Sequence, residues 1–368
     1  MKKILLAIIL LSSTVGSLPD GEDALLIRQV VPTTTMTEEG EDDANAEAHF
    51  ASFQTKFGKK YSDEEERLHR LSVFKANLRR AKRHQKMDPT AVHGVTQFSD
   101  LTPSEFRRRH LGLRRRPSHH HSVESARKAI ILPTYSLPAR FDWRDHGAVT
   151  RVKDQGTCGS CWSFSAAGAM EGGKFLATGE LVSLSEQQLV DCDHVCDPLD
   201  PESCDTGCDG GLMTNAFEYV MKSGGLQREK DYPYMGSDGK CRFDKSKVAA
   251  SVSNFSAISV DDDQIAANLV KHGPLAVGIN DYFMQSYIGG LSCPLMCGRR
   301  YLNHGMLLVG YGSEDFPHLC QKNMPYWILK NSWGESWGEK GYYKICRGRN
   351  VCGVESMVST VAVAHSVH

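Results

Sequence analysis

The sequence predicts an α+β protein, with a small helical region ahead of a larger body built of two subdomains. Three observations lead there. Apolar residues recur at helical spacing early in the chain, the texture changes at Leu137 with "LPARFDWRDHGAVT", and short apolar runs such as "HGMLLVGYG" and "PYWILK" follow after about residue 248. With 368 residues, 40% of them hydrophobic, the chain can bury a sizeable core.

Residues 1–17 have the grammar of a secretory signal peptide: Lys2 and Lys3, an apolar run from Ile4 to Leu11, then small residues. That run is too short to span a bilayer, and no later stretch approaches about eighteen uninterrupted apolar residues, so no membrane anchor is expected. Residues 18–46, which include "TEEGEDDANAE", lack apolar period and read as an acidic, solvated linker. From 47 to 116 helical order is expected. Phe50, Phe53 and Phe57 form one helix face, and Leu68, Leu71, Phe74 and Leu78 form the stripe of a second, with Ser62 and Glu65 at capping-box spacing. The stretch "RRRHLGLRRRPSHHHSVES" at 107–125 has little to bury and reads as an exposed basic linker, the kind of segment proteases cut.

The near-neutral total charge conceals two opposed halves. Through Pro133 there are 22 Lys and Arg against 17 Asp and Glu, net +5, and from Thr134 onward 21 against 27, net −6. A basic N-terminal region lying on an acidic body would be weakened by acid, which protonates carboxylates and the histidines at 119–121.

All twelve cysteines lie between Cys158 and Cys352. In an oxidising compartment most are expected as disulfides. "GTCGSCWSFS" places Cys158 and Cys161 three apart, and "CWSFSAAGAMEGGKFLATG" reads as a helix opening at Cys161, with Phe164, Ala167, Met170 and Leu176 inward and Gly179 as a stop. A thiol at a helix N-terminus is biased toward the thiolate, more so beside an imidazolium. A redox pair would want a thioredoxin-like βαβ setting that "GAVTRVKDQG" does not supply, and a zinc site would want a second ligand pair in a compartment that favours crosslinks. A structural crosslink at Cys161 and a free nucleophile beside a crosslink both remain. If Cys161 is free, eleven cysteines are left and at least one more is unpaired.

Taken together, Gln155, Cys161, His304 in "NHGMLLVGYG" and Asn331 in "KNSWGESWG" resemble a papain-family cysteine protease precursor, from about Phe50 to Val361. His304 follows Cys161 by 143 residues, within the family spacing of about 130–150, whereas Asn331 follows by 170, an excess assigned to the loop at 314–324. Glu66, Arg70, Phe74, Asn77, Ala81 and Gln85 match the ERFNAQ form of the family's prosegment ladder, which resembles cathepsin F and its plant vacuolar relatives. "GVTQFSD", with Gly94, Phe98 and Asp100, is similar to the second prosegment motif, Thr96 standing where many members carry Asn. "DALLIRQVV" resembles the vacuolar sorting segments of plant members.

The resemblance implies a papain-like fold, with a helical left subdomain and a β-barrel-like right one over 137–368, an inhibitory prodomain over 47–116 and an activation linker over 117–136. It implies a zymogen of a cysteine endopeptidase acting in an acidic vacuole or lysosome, without cofactor or metal. The Cys161 thiolate attacks the scissile carbonyl, His304, charged in the resting pair, shuttles the proton, and Asn331 orients the imidazole. Gln155 and the Cys161 N–H form the oxyanion hole, where one lost donor costs about 3 kcal/mol in well-studied hydrolases. Trp333 shields the His304–Asn331 contact.

Gly210 and Gly211 let substrate backbone approach, and Leu212, Met213, Gly278, Leu302, Gly305 and Met357 form an S2 pocket for a bulky hydrophobic P2 residue. Implied disulfides are Cys158–Cys208, Cys192–Cys241, Cys297–Cys352 and Cys196–Cys204, with Cys293–Cys346 a fifth that would leave Cys320 free. "NFS" at Asn254 is an N-glycosylation acceptor. Expected partners are polypeptide substrates, the chain's own prodomain and cystatin-like inhibitors; nucleic acid and membrane are not expected, and the protein is expected to be a monomer.

Overall fold

A computed structural model describes residues 39–114, 127–197, 200–317 and 321–364. The signal and sorting segments, His119 to His121 and Cys320 lie outside them.

The first helix, α1 (Glu39–Lys56), begins inside the stretch expected to be linker. The apolar stripe starts earlier than Phe50: Ala46, Phe50 and Phe53 are all buried and recur at i, i+4 and i+7, so one helical face runs through the expected boundary. Helix α2 (Glu64–Met87) is capped by Asp63, whose carboxylate accepts from the Glu66 N–H at 2.8 Å, while Glu66 reaches back to the Ser62 N–H at 2.8 Å. The expected capping box is thus displaced by one residue. Leu71 and Phe74 are buried, but Leu68 is 50% exposed. At 100° per residue Leu68 stands roughly 120° around the helix from Phe74, off the face that meets α1. The Phe74 ring lies 5.3 Å from that of Phe50 and 5.1 Å from that of Phe53, closing a small aromatic core.

The ladder residues of α2 tie it to the segment that follows. Asn77 Nδ2 donates to Ser99 O (2.7 Å) and Leu101 O (2.8 Å), Arg70 to Glu105 (2.9 Å), and Gln85 Nε2 to Ala91 O (2.8 Å). Asp100 accepts from Lys59 and Tyr61. A short strand, β1 (Ala91–His93), and helix α3 (Pro103–His110) complete the prodomain. Thr102 and Glu105 form a full capping box on α3, with Pro103 in its first turn. The residues from 107 to 114, expected as exposed linker, therefore form the end of a capped helix and a buried extended segment: His110 and Leu113 are both buried. Downstream, Arg127–Leu132 also docks. Ala129 N–H donates to Ala257 O (2.8 Å), Ala257 N–H to Arg127 O (2.7 Å), and Gln264 bonds both the N–H and the C=O of Leu132.

The body holds two hydrophobic clusters. One is centred on helix α4 (Cys161–Thr178), buried from Cys161 through Lys174 and stopped by Gly179 in the left-handed region at φ 75°. Leu176 in its last turn is 37% exposed rather than inward, because the helix leaves the core there. The second cluster sits on an open sheet of nine strands. Following chain order after β1, these are β2 (Phe141–Asp142), β7 (Val252–Ala257), β8 (Leu275–Ile279), β9 (Tyr287–Ser292), β10 (His304–Phe316), β11 (Gln321–Lys330), β12 (Tyr342–Cys346) and β13 (Val358–Val363). Their order is β1-β9-β12-β11-β10-β8-β13-β7, with β2 also on β10. The end strands do not pair, so the barrel-like subdomain is not a closed barrel. β10 and β11 continue their pairing into the segment at 314–324, through Glu314 with Met324 and Phe316 with Gln321, which accounts for the long spacing to Asn331. Helices α5 (Glu186–Cys192) and α6 (Met213–Ser223) and the short pair β5 (Leu226–Gln227) with β6 (Val248–Ala250) add residues to the α4 cluster; β3 (Cys196–Asp197) pairs with β4 (Asp200–Cys204), and α7 (Asp262–His272) precedes β8.

Disulfides join Cys158–Cys208, Cys192–Cys241, Cys196–Cys204, Cys293–Cys346 and Cys297–Cys352, and among the described residues Cys161 alone is a free thiol. No described helix is long and apolar enough to cross a membrane.

Truncating Phe74 to Ala should destabilise the prodomain by about 3–5 kcal/mol, the usual range for a buried Phe. Denaturant melts of the full chain carrying Cys161→Ala, followed by prodomain hydrogen exchange, measure it; a change under about 1 kcal/mol would contradict the core assignment.

Candidate active site

Helix α4 opens at Cys161 with no side-chain cap on Ser160, so its N-terminal dipole is directed at the thiol. Strand β10 starts at His304 and β11 ends at Lys330, one residue before Asn331, which brings the three residues together where helix and sheet meet. His304 Nε2 lies 2.8 Å from Asn331 Oδ1. Asn331 Oδ1 accepts, so Nε2 carries the proton and Nδ1 presents its lone pair, with no partner among the described residues. The Trp333 ring covers the imidazole at 4.5 Å between centroids. Gln155 is fixed by Ser332 Oγ, which donates to its Oε1 at 2.6 Å, leaving the amide N–H groups to reach Cys158 O (2.8 Å) and a prodomain carbonyl, His110 O (3.1 Å).

The extended chain after α3 fills the groove. Gly112 N–H donates to Cys161 Sγ at 3.2 Å, beside Gly305 N–H at 3.3 Å. Gly211 N–H donates to Gly112 O (2.8 Å) and Arg114 N–H to Gly211 O (3.2 Å), so the cleft wall pairs with this chain as one strand pairs with another. Leu113 shares one apolar cluster with Leu212, Met213, Leu302 and Met357. A Cβ placed on Gly278 would lie 2.9 Å from Leu113 and 3.0 Å from the Met357 sulfur, and one on Gly305 would lie 3.1 Å from Cys161 O. Gly210 accepts from Thr206 N–H through its carbonyl. Contacts to residues 110–114 or to Cys161 Sγ thus gather Gln155, Cys161, Gly211, Gly278 and Gly305 around one segment.

In the covered site, burial opposes both charges of the expected ion pair. Burial pushes the Cys161 thiol up to about 11, against the smaller opposing effect of the N–H donors from Gly305 and Gly112. Burial likewise lowers His304 to about 4, with His110 nearby adding to the effect against the Asn331 bond. No hydrogen bond joins the two side chains, and burial favours the neutral form of each.

Sequence reasoning missed Ser332, His110 and Gly112. Ser332 was within reach because it follows Asn331 directly. Gly112 had no sequence signal: only the fold reveals that a Cβ there would collide with the Gly159 carbonyl. Asn254 is exposed on β7, its side-chain oxygen accepting from Arg127 at 3.3 Å.

Known proteins match both parts of the chain. A papain family cysteine protease model matches residues 137–362, and a cathepsin propeptide inhibitor domain model matches residues 50–106. The chain is 62% identical to cysteine proteinase 1 of Zea mays over 99% of this chain and 98% of that one, and 41% identical to cathepsin F of Mus musculus over 85% and 64%. Among solved structures, digestive procathepsin L2 proteinase from the Tenebrio molitor larval midgut superposes with a TM-score of 0.75 at 34% identity, covering 86% of this chain and 99% of that one.

In the intact chain at neutral pH, Cys161 should react slowly with iodoacetamide, its rate climbing until the pH passes about 11. Gly112→Ala, which forces the covering chain away, should raise the neutral-pH rate by about two orders of magnitude, a tenfold gain for each pKa unit recovered. Equal alkylation rates in the two proteins would contradict the burial argument.

Proposed function

The chain belongs to the papain family of cysteine proteases, and from that premise we propose that it is a latent endopeptidase whose Cys161, His304, Asn331 and Gln155 carry out acyl transfer once the prodomain leaves. With the groove open, water and incoming substrate replace the apolar cover, and the Cys161 proton passes to His304 Nδ1. The thiolate attacks the scissile carbonyl carbon, and the oxyanion is held by the Cys161 N–H and the Gln155 amide that the His110 carbonyl occupies in the latent form. The C–N bond then breaks as His304 protonates the leaving amine. His304 next takes a proton from water, which cleaves the thioester and regenerates the thiol. Asn331 keeps the imidazole in the required tautomer.

One observation carries the reading: prodomain residues 110–114 fill the groove in the direction opposite to a cleavable peptide, with a carbonyl on Gln155, parallel pairing of Leu113 to Gly211 and a leucine in the apolar pocket. Leu113 models a P2 side chain, which supports a bulky hydrophobic preference. The remaining expectations belong to the same reading: delivery through the secretory route to an acidic vacuole or lysosome, a glycan at Asn254, cystatin-like inhibitors and a monomeric state.

Acid triggers release in this proposal, through buried histidines. His84, packed against Tyr282 and Phe283 and bonded to Ser286 Oγ at 2.8 Å, is lowered by burial to about 3, with His93, Arg80 and Arg83 adding to the effect. Burial lowers His110 to about 4. Both pKa values lie below the unfolded value of about 6.5, so their contribution to the interface is complete above that pH and is lost as pH falls toward 4. His119 to His121, the expected sensors, lie outside the described residues.

The activity is tested with a fluorogenic dipeptide series and a thiol-directed epoxide. Phe-Arg and Leu-Arg substrates should be cleaved faster than Arg-Arg, and the epoxide should label Cys161; faster Arg-Arg cleavage would overturn the pocket assignment, and no labelling would overturn the mechanism. For the trigger, His84→Gln and His110→Gln should move the midpoint of autoactivation to lower pH than in the parent protein, followed by prodomain loss across a pH series. Superimposable activation curves would exclude these histidines.

A further inference from the structure

Behind the cleft wall lies a pair of acids that the mechanism does not use. Asp193 and Asp205 are 0% and 1% exposed, and Val195 ties them together, its N–H donating to Asp193 Oδ1 and its carbonyl accepting the Asp205 N–H at 3.0 Å. Asp193 Oδ1 accepts from Val195 N–H at 2.9 Å, and Asp205 Oδ1 from Leu212 N–H at 2.9 Å and Asn215 Nδ2 at 3.0 Å. The other oxygen of each, Oδ2, has no donor among the described residues. Two carboxylates offer one another only lone pairs, so burying both on one residue with an orphaned oxygen each favours a proton held between them.

Asp205 also stands directly behind the wall. A Cβ on Gly211 would lie 2.7 Å from Asp205 Cγ, and the same residue pairs with Gly112 and Arg114 through its N–H and carbonyl. The loop carrying both acids is closed by the Cys196–Cys204 disulfide and held by Asn215 Nδ2, which also bonds Val195 O (3.1 Å) and Ser203 O (3.3 Å).

We propose that Asp193 and Asp205 share one proton, and that the resulting acid–carboxylate pair positions the Gly210–Leu212 wall for substrate backbone. Loss of the proton leaves two buried charges, which repel and draw Asp205 away from the Leu212 N–H. Among the described residues, the charged and titratable groups acting on the pair are His194 on its own loop and Lys222 and Tyr219 on α6. Burial raises both acids above the ordinary carboxylate range, the mutual repulsion adding to the rise in Asp205. A raised acid favours the folded wall at low pH and weakens it as pH climbs through the raised values, so the wall is best formed in acid.

The inference rests on the protease reading, and the experiment separates the two. The full chain is matured in acid, active sites are counted with the epoxide, and KM and kcat are measured for a Phe-Arg amide substrate from about pH 6 to about pH 8, where the parent KM should rise about tenfold. Asp193→Asn supplies a permanent N–H donor to Asp205 in place of the titratable proton, and should hold KM level over that range. Asp205→Asn, the reciprocal isostere, should do the same and serves if the first variant does not fold. An undiminished KM rise in the Asn variants, or a parent whose loss lies in kcat alone, would overturn the proposal. Thermal melts of the latent full chain give the second readout: the parent should lose stability over that pH rise and the Asn variants should not, parallel losses counting against the pair. A parent protein that neither cleaves peptide nor takes up the epoxide would remove the protease reading, while the melts would still judge the pair.

Discussion

The contact on which the latent state depends is a backbone N–H resting on sulfur. Gly112 approaches so closely that its N–H reaches Cys161 Sγ at 3.2 Å, and the space it enters leaves no room for a Cβ. Everything about the charge state follows from that approach. The chain segment excludes water, so ionising the thiol or the imidazole incurs a desolvation penalty that favours the neutral form of each. Inhibition is therefore electrostatic as well as steric.

The approach is possible because the prodomain is rigid on either side of it. Upstream, the ladder residues Arg70, Asn77 and Gln85 spend their hydrogen bonds on the backbone or capping residues of the segment leading to α3. Phe98 and Phe106 then pack edge-on against Trp333, 5.2 and 5.3 Å between ring centres, so the indole that covers His304 is part of the surface on which α3 sits. Downstream, Leu113 is held in its apolar pocket and Arg114 by backbone pairing to Gly211.

Much of this was legible in the sequence, and the omissions have physical causes. Side-chain identity at fixed spacing revealed Cys161 at a helix start, the ladder of α2 and the convergence of His304 with Asn331. Periodicity failed at edges, where tertiary contact decides: Ala46 extended α1 backward into a polar stretch, and Leu68 and Leu176 turned outward although each continued an apolar series. The basic run at 107–114 misled because composition suggested solvent exposure, whereas the capping box of Thr102 and Glu105 and a pocket for Leu113 supplied order from outside the run. Asp205 had no signal at all, since its partner Asp193 lies twelve residues away across a disulfide-closed loop.

The nine-stranded sheet has a foreign strand at one rim. β1 belongs to the prodomain and pairs with β9 through Ala91 and Gly290, Val92 and Gly289, and His93 and Tyr287. Once that strand departs, β9 becomes a bare border with unmet amide and carbonyl groups, a template that another polypeptide could extend. The body carries a counterweight in place: Glu339 Oε1 already accepts the Gly290 N–H at 2.9 Å, putting negative charge on the rim and occupying one of its donors. Two adjacent glycines, 289 and 290, further weaken that border as a scaffold for fibrous assembly, so the freed body meets its neighbours with a guarded margin.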